Sequence, residues 1–402
     1  MFYLLLTCNL INREETQMPR IFDEQDLAQL KRVLDSGTLG STGYNQGIRG
    51  EFERKFAARM GAKYGIAMSS AMAGLHMAVS AAGVGPGAEV ICDPIVQFGA
   101  MATMYHNGFP VFADVDPYTH NMNPESVKKV ISPYTKAIIC TNLWGQPCEL
   151  DKLREIADEH GLVLIEDCAH AIYATHKGKY TGTWGHIGVF SFQMSKQMAT
   201  GDGGIVITSD DKSFNELMQM CSRGSHSPKL SYIWNYRMTE LVAAVALVQL
   251  DRTLDYVKES IENANIYNEV LKDCEWLQPQ GGNEDSVNTY HLYAATFHGD
   301  KHGIELDVFK KALSDNSCSL SFGYNNSQPA YLHPMFKNAT AYDDTGCPIK
   351  CPFYKGNYQY KPGLCPNAEE LMPRLMITGI LTAKENIERN AENLRKAIKQ
   401  SE

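Results

Sequence analysis

Short apolar segments alternate with stretches of helical periodicity through the first half of the chain. The apolar segments are Tyr64–Met68, Glu89–Cys92, Val111–Ala113, Ala137–Thr141, Leu162–Glu166, Gly188–Phe192 and Ile205–Thr208. Between them, Ala73–Ala82 and Leu150–His160 favour helices, the latter with Leu and Ile at intervals of three and four residues. This alternation predicts the α/β class, a mainly parallel sheet flanked by helices. Ligands of such sheets bind at the carboxyl ends of the strands.

The pattern changes after Thr239, where a largely helical stretch runs to about Cys274. A strand at Tyr290–Phe297, a helix at Leu306–Leu313 and a closing helix at Lys384–Lys399 follow. We therefore expect a large domain over residues 21–260 and a smaller C-terminal α+β domain over residues 261–402. The loop Asn325–Asn367 is long for a structureless connection, so we expect it to be functional or packed against another subunit.

Residues 1–20 are expected to be an N-terminal extension. Met1–Ile11 is apolar, but it lacks the basic region and the small-residue cleavage site of a signal peptide. It is also shorter than the ~20 residues needed to span a bilayer. Because Met18-Pro19 would begin the chain equally well, we interpret residues 1–17 as the product of an upstream start codon.

Composition narrows the classes of function. The chain has 402 residues, of which 44% are hydrophobic and 21% charged, an ordinary globular balance. A net charge of -9 argues against a nucleic-acid partner, because phosphate-backbone binding relies on clustered Lys and Arg. Eleven scattered cysteines without a C-x-x-C pair favour the reducing cytoplasm. The spacing of Cys347, Cys351 and Cys365 matches no usual zinc pattern, so neither a metal nor a membrane partner is expected.

A carboxylate and a lysine follow two successive apolar segments. Asp167 follows Leu164-Ile-Glu, and Lys196 follows Gly188–Phe192 ahead of the glycine-rich Gly201–Gly204. Pyridoxal 5'-phosphate (PLP) chemistry requires this pair, because a lysine forms an imine (Schiff base) with the cofactor and a carboxylate keeps the pyridine nitrogen protonated. Either residue alone is weak support, since any α/β protein has charged residues at strand ends. Gly201–Gly204 precedes a strand, so the dinucleotide-binding fingerprint fails.

Two segments upstream fit the same cofactor. Met68–Leu75 passes from a strand into an Ala-rich helix, and free amides at a helix start form an anion site suited to a phosphate. Phe98 follows the strand that ends near Cys92, and its ring can stack on a planar cofactor. An ordinary capped helix and a core phenylalanine remain the alternatives.

Taken together, these motifs resemble the DegT/StrS family of sugar aminotransferases, which share the fold-type I (aspartate-aminotransferase-like) PLP architecture. The resemblance covers nearly the whole chain. Its motifs are Val33-Leu-Asp-Ser-Gly-Thr-Leu, Gly83-Val-Gly-Pro-Gly-Ala-Glu-Val-Ile, Pro110-Val-Phe-Ala-Asp-Val-Asp-Pro, Asn142-Leu-Trp-Gly-Gln-Pro-Cys-Glu-Leu-Asp, the block from Asp167 to Gly204, and Asn235-Tyr-Arg-Met-Thr-Glu240.

The resemblance implies a role for each matched residue. Lys196 would be the Schiff-base lysine, and Asp167 the partner of the pyridine nitrogen. The remaining cofactor contacts would come from His170 near the ring hydroxyl, Phe98 stacked on the ring, and Ser191 with the amides of Ala71 and Met72 at the phosphate. Asn235 matches a residue that reaches the phosphate of the neighbouring subunit, which implies a homodimer with composite active sites.

Two departures from the family pattern concern the phosphate and the substrate. Met72 stands where the family usually has Thr, so one hydrogen bond of roughly 1 kcal/mol is missing or supplied elsewhere. Tyr290–Tyr293 and Phe322–Tyr324 follow the family's substrate-facing segments only loosely. His291 and Tyr324 are the candidates for substrate contact in these segments.

The implied reaction transfers an amino group from an amino acid, expected to be L-glutamate, to a keto-sugar, expected to be nucleotide-linked. A keto-cyclitol or another non-nucleotide ketone stays open, because Cys347–Pro366 diverges and no basic cluster for a diphosphate is evident. PLP-dependent sugar dehydratases of this fold replace the lysine with His, so Lys196 favours the aminotransferase. A catalytically silent ligand-binding protein is disfavoured because Lys196 and Asp167 are both present.

Overall fold

The computed structural model describes residues 20–40, 43–221, 233–282, 285–339, 341 and 345–402. Apart from Arg20, the expected N-terminal extension lies outside the described residues. Of the helices in these ranges, none combines the length and apolarity needed to cross a bilayer.

Helices and strands alternate as the hydrophobic pattern predicts. The helices are α1 (Glu24–Asp35), α2 (Gly47–Met60), α3 (Ala71–Ala81), α4 (Phe98–Tyr105), α5 (Pro124–Val130), α6 (Leu150–His160), α7 (Asp211–Cys221), α8 (Glu240–Leu271), α9 (Leu306–Asp315), α10 (Pro334–Lys337), α11 (Pro366–Leu371) and α12 (Lys384–Ser401). The strands are β1 (Tyr64–Met68), β2 (Glu89–Cys92), β3 (Phe109–Phe112), β4 (Thr135–Thr141), β5 (Val163–Asp167), β6 (Thr175–His176), β7 (Lys179–Tyr180), β8 (Ile187–Ser191), β9 (Gly204–Thr208), β10 (Leu277–Pro279), β11 (Ser286–Val287), β12 (Leu292–Phe297), β13 (Ser321–Phe322) and β14 (Leu375–Gly379).

Seven strands form the main sheet in the order β1-β9-β8-β5-β4-β2-β3. The pairs from β8 to β3 are all parallel, whereas β9 runs antiparallel to both of its neighbours. The prediction of an α/β fold with a mainly parallel sheet is therefore confirmed. Each expected strand of this sheet is present within two residues of its predicted bounds, because fully buried parallel strands are nearly continuous apolar runs.

Helices cover both faces of this sheet. On one face, α3 packs closely because Gly74 has no side chain; a Cβ there would press against Val189 and Val206. On the other face, Phe56 of α2 meets Phe190 edge-on and Phe52 meets Phe192 edge-on, and all four rings are fully buried. Burial of each such ring stabilises the fold by about 1.5–3 kcal/mol, so these helices are held mainly by their apolar faces.

A second sheet has the order β10-β12-β14-β13 and is antiparallel. It packs with α9, α12 and the C-terminal part of α8 around residues such as Phe309 and Leu394. The expected boundary near residue 260 falls inside α8, and Tyr331 and Phe336 pack into the core of the first sheet. The division at residue 260 stays a prediction.

The long loop over Asn325–Asn367 has its packing partner within the chain. The hydroxyl of Tyr358 accepts from the Phe112 N–H at 3.0 Å and donates to the Phe112 carbonyl at 3.1 Å. The Tyr360 hydroxyl donates to the Pro110 carbonyl at 2.6 Å. These contacts cover edge strand β3, whose free peptide groups would otherwise be open to another strand. A second subunit is thus not needed to explain the length of the loop.

Candidate active site

Polar residues line the carboxyl ends of four neighbouring strands. Asp93 follows β2, Thr141 ends β4, Asp167 ends β5 and Ser191 ends β8. Because these strands are adjacent and parallel, the four side chains share one edge of the sheet. Asp93 and Thr141 were missed by the sequence reasoning, although the strand-end criterion that selected Asp167 applies to them equally.

Asp167 and Lys196 form the charged centre of this edge. Asp167 is 2% exposed, and its Oδ1 accepts from the Ala169 N–H at 3.0 Å. Burial raises the pKa of Asp167, and the Ala169 amide and the nearby Lys196 oppose that rise. Burial lowers the pKa of Lys196 to about 8, against the attraction of Asp167. Lys196 therefore has a substantial neutral fraction near pH 8, and only the neutral amine is nucleophilic.

The loop between β8 and β9 carries Lys196 and is tied at several points. Ser191 and Gly204, at its two ends, are directly paired in the antiparallel ladder. The Gln197 side chain donates to the Thr289 carbonyl at 2.6 Å. The Arg20 guanidinium donates to the Gln197 carbonyl at 2.6 Å, so the last residue of the expected N-terminal extension supports the lysine loop.

Two buried histidines lie beside Lys196. The rings of His170 and His291 stack with centroids 4.5 Å apart and an interplanar angle of 24°. Burial and the nearby Lys196 hold the pKa of each well below the ordinary range of histidine. Both rings are thus neutral near pH 7. His291 enters from the segment before β12, which brings the second sheet to the edge of the first.

Tyr324 approaches the same centre from the end of β13. Burial raises its pKa to about 12, and Asp93 and Asp167 are close enough to add to the rise. Its ring meets Trp144 edge-on, with centroids 5.9 Å apart. The structure therefore brings Lys196 and Asp167 together with the expected substrate candidates.

Asp93 anchors the loop that leads to Phe98. Its Oδ1 accepts from the N–H groups of Ile95 and Val96 at 3.1 and 2.7 Å. Its Oδ2 accepts from the Thr141 hydroxyl at 2.6 Å. Burial raises the pKa of Asp93 to about 6. Phe98 begins α4 immediately after this loop and is 45% exposed, so its ring is available to a ligand.

The start of α3 is the candidate phosphate site. Ser70 caps the helix by accepting from the Ala73 N–H through its side chain at 3.1 Å. The first amides of a helix have no intrahelical acceptor, and no described residue accepts from Ala71 or Met72. A Cβ at Gly204 would lie 2.6 Å from the Ala71 nitrogen, so glycine leaves this site open. Ser191 lies directly across the ladder from Gly204.

Asn235 lies at the surface near the same helix. It is exposed, and the carbonyl of the following Tyr236 accepts from the Ser69 N–H at 2.6 Å. Met68, at the end of β1, bridges to Arg237. Asn235 is thus one residue from a main-chain contact with the turn before α3. Residues 222–232, which precede this segment, lie outside the described residues.

The donor set fits PLP. The amides at the start of α3 and Ser191 suit a phosphate, the buried Asp167 suits a protonated pyridine nitrogen, and Lys196, with its lowered pKa, suits an aldehyde. The fit to PLP rests on the space beside the Ala71 amide, which a side chain at Gly204 would fill. An α/β sheet with these groups at its strand ends defines the class of fold-type I transferases.

Comparisons with known proteins agree with this class. The model of the DegT/DnrJ/EryC1/StrS aminotransferase family matches residues 20–350. The GDP-perosamine synthase of Vibrio cholerae is 31% identical over 85% of this chain and 93% of the relative. The "Putative L-glutamine:3-amino-2,3-dideoxy-scyllo-inosose aminotransferase" of Streptoalloteichus tenebrarius is 32% identical over 73% of each chain.

Among solved structures, DesI in the presence of its TDP-sugar product superimposes with a TM-score of 0.78 at 28% identity, covering 95% of this chain and 91% of that chain. The chain belongs to the DegT/DnrJ/EryC1/StrS aminotransferase family and is an aminotransferase. The roles of its individual site residues stay predictions.

Proposed function

We propose that this aminotransferase uses PLP, held by Lys196, to transfer an amino group from L-glutamate to a nucleotide-linked keto-sugar. The observation that carries the proposal is a half-buried lysine with a pKa of about 8, beside a buried carboxylate and the open start of α3. When bound, PLP supplies a carrier for the amino group and a ring that accepts electrons.

The chain's own residues supply binding, orientation and proton transfer. The amides of Ala71 and Met72 and the Ser191 hydroxyl hold the phosphate. Asp167 holds a proton on the pyridine nitrogen by its negative charge, and Phe98 packs on the ring. These roles follow from the resemblance and agree with the position of each group at the strand ends.

Proton movement falls to the Nζ atom of Lys196. In its neutral form Nζ would accept a proton from the α-carbon of the amino donor and pass it to the bound cofactor. With the acceptor it would carry the reverse transfer, to the carbon that gains the amino group. His291 and Tyr324 lie on the substrate side, where their neutral rings offer hydrogen bonds without competing charge. The buried His291 and the half-buried Lys196 and Tyr324 restrict water around the reacting carbon.

The choice of a nucleotide-linked acceptor rests on the relatives, among them a GDP-sugar synthase and a structure with a TDP-sugar product. A keto-cyclitol is the second candidate, and the relative named for an inosose favours it. That relative's name also gives L-glutamine as donor, so both amino acids need testing.

A homodimer with composite sites is part of the proposal. Phe98 is itself a predicted cofactor contact, and Met194 and Ile233 are each two residues in the sequence from another, Lys196 and Asn235; all three are 38–45% exposed. Exposed apolar side chains clustered at a site are typically covered by a partner.

The described cysteines are all free thiols, which agrees with a cytoplasmic location.

The first experiment tests the cofactor. Purified protein incubated with PLP is treated with borohydride, and its peptides are analysed by mass spectrometry. We expect a stable pyridoxyl adduct on Lys196 and a visible absorbance band before reduction. Lys196→Arg serves as the charge-matched control and should show neither. An adduct on other lysines only, with Lys196 unmodified, would refute the proposal.

The second experiment tests the substrates. GDP- and TDP-linked keto-sugars, their free sugars and a keto-inositol are each incubated with L-glutamate or L-glutamine, and amination is followed by mass spectrometry. We expect turnover of a nucleotide-linked ketone with L-glutamate. Exclusive turnover of the keto-inositol would favour the second candidate.

The third experiment tests the composite site. Lys196→Ala and Asn235→Ala chains are mixed under conditions that allow subunit exchange. If Asn235 serves the neighbouring subunit, each mixed dimer has one intact site, and activity should return to about a quarter of wild type. If Asn235 acts within its own chain, mixing restores nothing.

A further inference from the structure

Trp144 has an unfavourable backbone conformation. It lies in the turn after β4, is fully buried, and has φ 57° and ψ 12°. This left-handed region costs a bulky residue about 1 kcal/mol or more. The next residue, Gly145, has φ 109°, and a Cβ there would lie 2.4 Å from the Tyr290 nitrogen. The surrounding structure thus holds the turn in a shape that tryptophan itself disfavours.

The two main-chain groups of Trp144 connect the two active-site histidines. Its N–H donates to Nδ1 of His170 at 3.4 Å. Its carbonyl accepts from the His291 N–H at 2.7 Å. One residue therefore ties the loop after β5 to the segment before β12, and the two imidazole rings stack between these attachments.

The contact with Nδ1 decides which nitrogen of His170 carries the proton. A nitrogen that accepts a hydrogen bond carries no hydrogen, and a neutral imidazole has one N–H, so the proton lies on Nε2. The groups that face His170 are Lys196 and His291, and both disfavour an imidazolium. No described residue is hydrogen-bonded to Nε2. His170 is thus a neutral donor with an uncommitted N–H.

The indole of Trp144 has a separate role. It meets the ring of Tyr324 edge-on, at 5.9 Å and 84°, and that of His120 at 5.6 Å and 81°. The indole thus packs between Tyr324, on the substrate side, and the buried His120 of the 118–121 turn. Removing it would leave Tyr324 without this support.

We propose that Trp144 is a positioning residue: its peptide groups present His170 as an Nε2–H donor to the ring hydroxyl of the cofactor, and its indole holds Tyr324 against the substrate. The inference rests on the proposed function, in which Lys196 holds PLP at this site. It adds a residue that touches neither cofactor nor reacting atoms.

The tautomer is tested on protein without cofactor. Histidines are labelled with ¹⁵N, and the His170 signals are assigned by their loss in His170→Gln. We expect the neutral Nε2–H tautomer throughout the range from about pH 6 to 8, in which an exposed histidine would lose its charge. An Nδ1–H tautomer, or an imidazolium at pH 7, would overturn the inference. Because PLP is absent, this result is independent of whether Lys196 binds PLP.

The role of the indole is tested with two variants. Trp144→Gly tolerates the left-handed backbone and keeps both peptide groups, whereas Trp144→Phe keeps an aromatic wedge. With L-glutamate as the probe and single-turnover loss of visible absorbance as the readout, we expect Trp144→Gly to raise the half-saturating concentration about tenfold. Trp144→Phe should restore it to within about threefold of wild type.

Covalent capture of PLP separates positioning from a general loss of structure. Both variants should capture PLP on Lys196 at rates within about twofold of wild type. An unchanged half-saturating concentration in Trp144→Gly would contradict the role of the indole, and so would a loss of PLP capture in Trp144→Phe. Failure of wild-type protein to capture PLP would refute the proposed function, while the tautomer measurement would still stand.

Discussion

The lowered pKa of Lys196 predicts the pH dependence of PLP capture. With a pKa of about 8, about one-tenth of the side chain is neutral at pH 7. A lysine at the ordinary value of 10.5 would be neutral in roughly one molecule in 3,000, so burial raises the nucleophilic fraction by about 300-fold. Capture by the cofactor-free protein should rise with pH and level off above about 8.

Asp167→Asn changes this profile in a defined direction. The carboxylate raises the pKa of Lys196, whereas burial, the larger cause, lowers it. Replacing the charge by a neutral amide of the same shape leaves burial unopposed, so the midpoint should move to lower pH by on the order of one unit. Below that midpoint the variant should capture PLP up to about tenfold faster than wild type, although its later catalysis should be impaired.

The assay follows visible absorbance after cofactor-free protein is mixed with excess PLP, from about pH 6 to 9.5. PLP itself titrates in this range, so rates are divided by those of Nα-acetyl-lysine methylamide measured in parallel. Lys196→Arg supplies the baseline. A corrected wild-type midpoint near 10, or an alkaline shift in Asp167→Asn, would refute the reasoning.

Three further changes test other parts of the structure. Gly204→Ala places a methyl group 2.6 Å from the Ala71 nitrogen and should weaken PLP binding at least about tenfold in equilibrium titrations, whereas Gly85→Ala, in open space, should not. Burial raises the pKa of Asp93 from 3.8 to about 6, so its contribution to stability is present below about pH 4 and is lost as pH rises through about 6. Wild type should therefore lose roughly 1–3 kcal/mol relative to Asp93→Asn over that window in urea unfolding, and parallel curves would contradict this. Tyr358→Phe, which removes both contacts with the Phe112 peptide, should lower the free energy of unfolding by about 1–2 kcal/mol and leave PLP capture unchanged.

The local hydrophobic pattern was sufficient to predict the strands of the main sheet and the position of Asp167 and Lys196 at the same edge of it. Buried strands are apolar runs, and the groups that follow them necessarily share one edge, which is why Asp167 and Lys196 could be placed from sequence. The same rule applies to Asp93 and Thr141, at the ends of β2 and β4.

Contacts between distant segments could not be predicted in this way. His170 and His291 are 121 residues apart, and nothing in either neighbourhood indicates that their rings stack. The left-handed turn at Trp144 is carried by a residue type that does not favour it, so its conformation is set by packing. The attachment of Tyr358 and Tyr360 to β3 likewise depends on the tertiary fold, because an irregular loop has no periodicity to interpret.

The reversed direction of β9 has a consequence for how this enzyme could diversify. A parallel crossover would carry the chain from the carboxyl end of one strand back to the amino end of the next, whereas the β8–β9 hairpin keeps the chain at the same edge of the sheet. Lys196 therefore lies in a loop whose two ends, Ser191 and Gly204, are paired neighbours. Insertions or deletions in this β8–β9 loop would leave the other strands in place. The surroundings of the Lys196 amine can therefore change over evolution without a change in the rest of the fold.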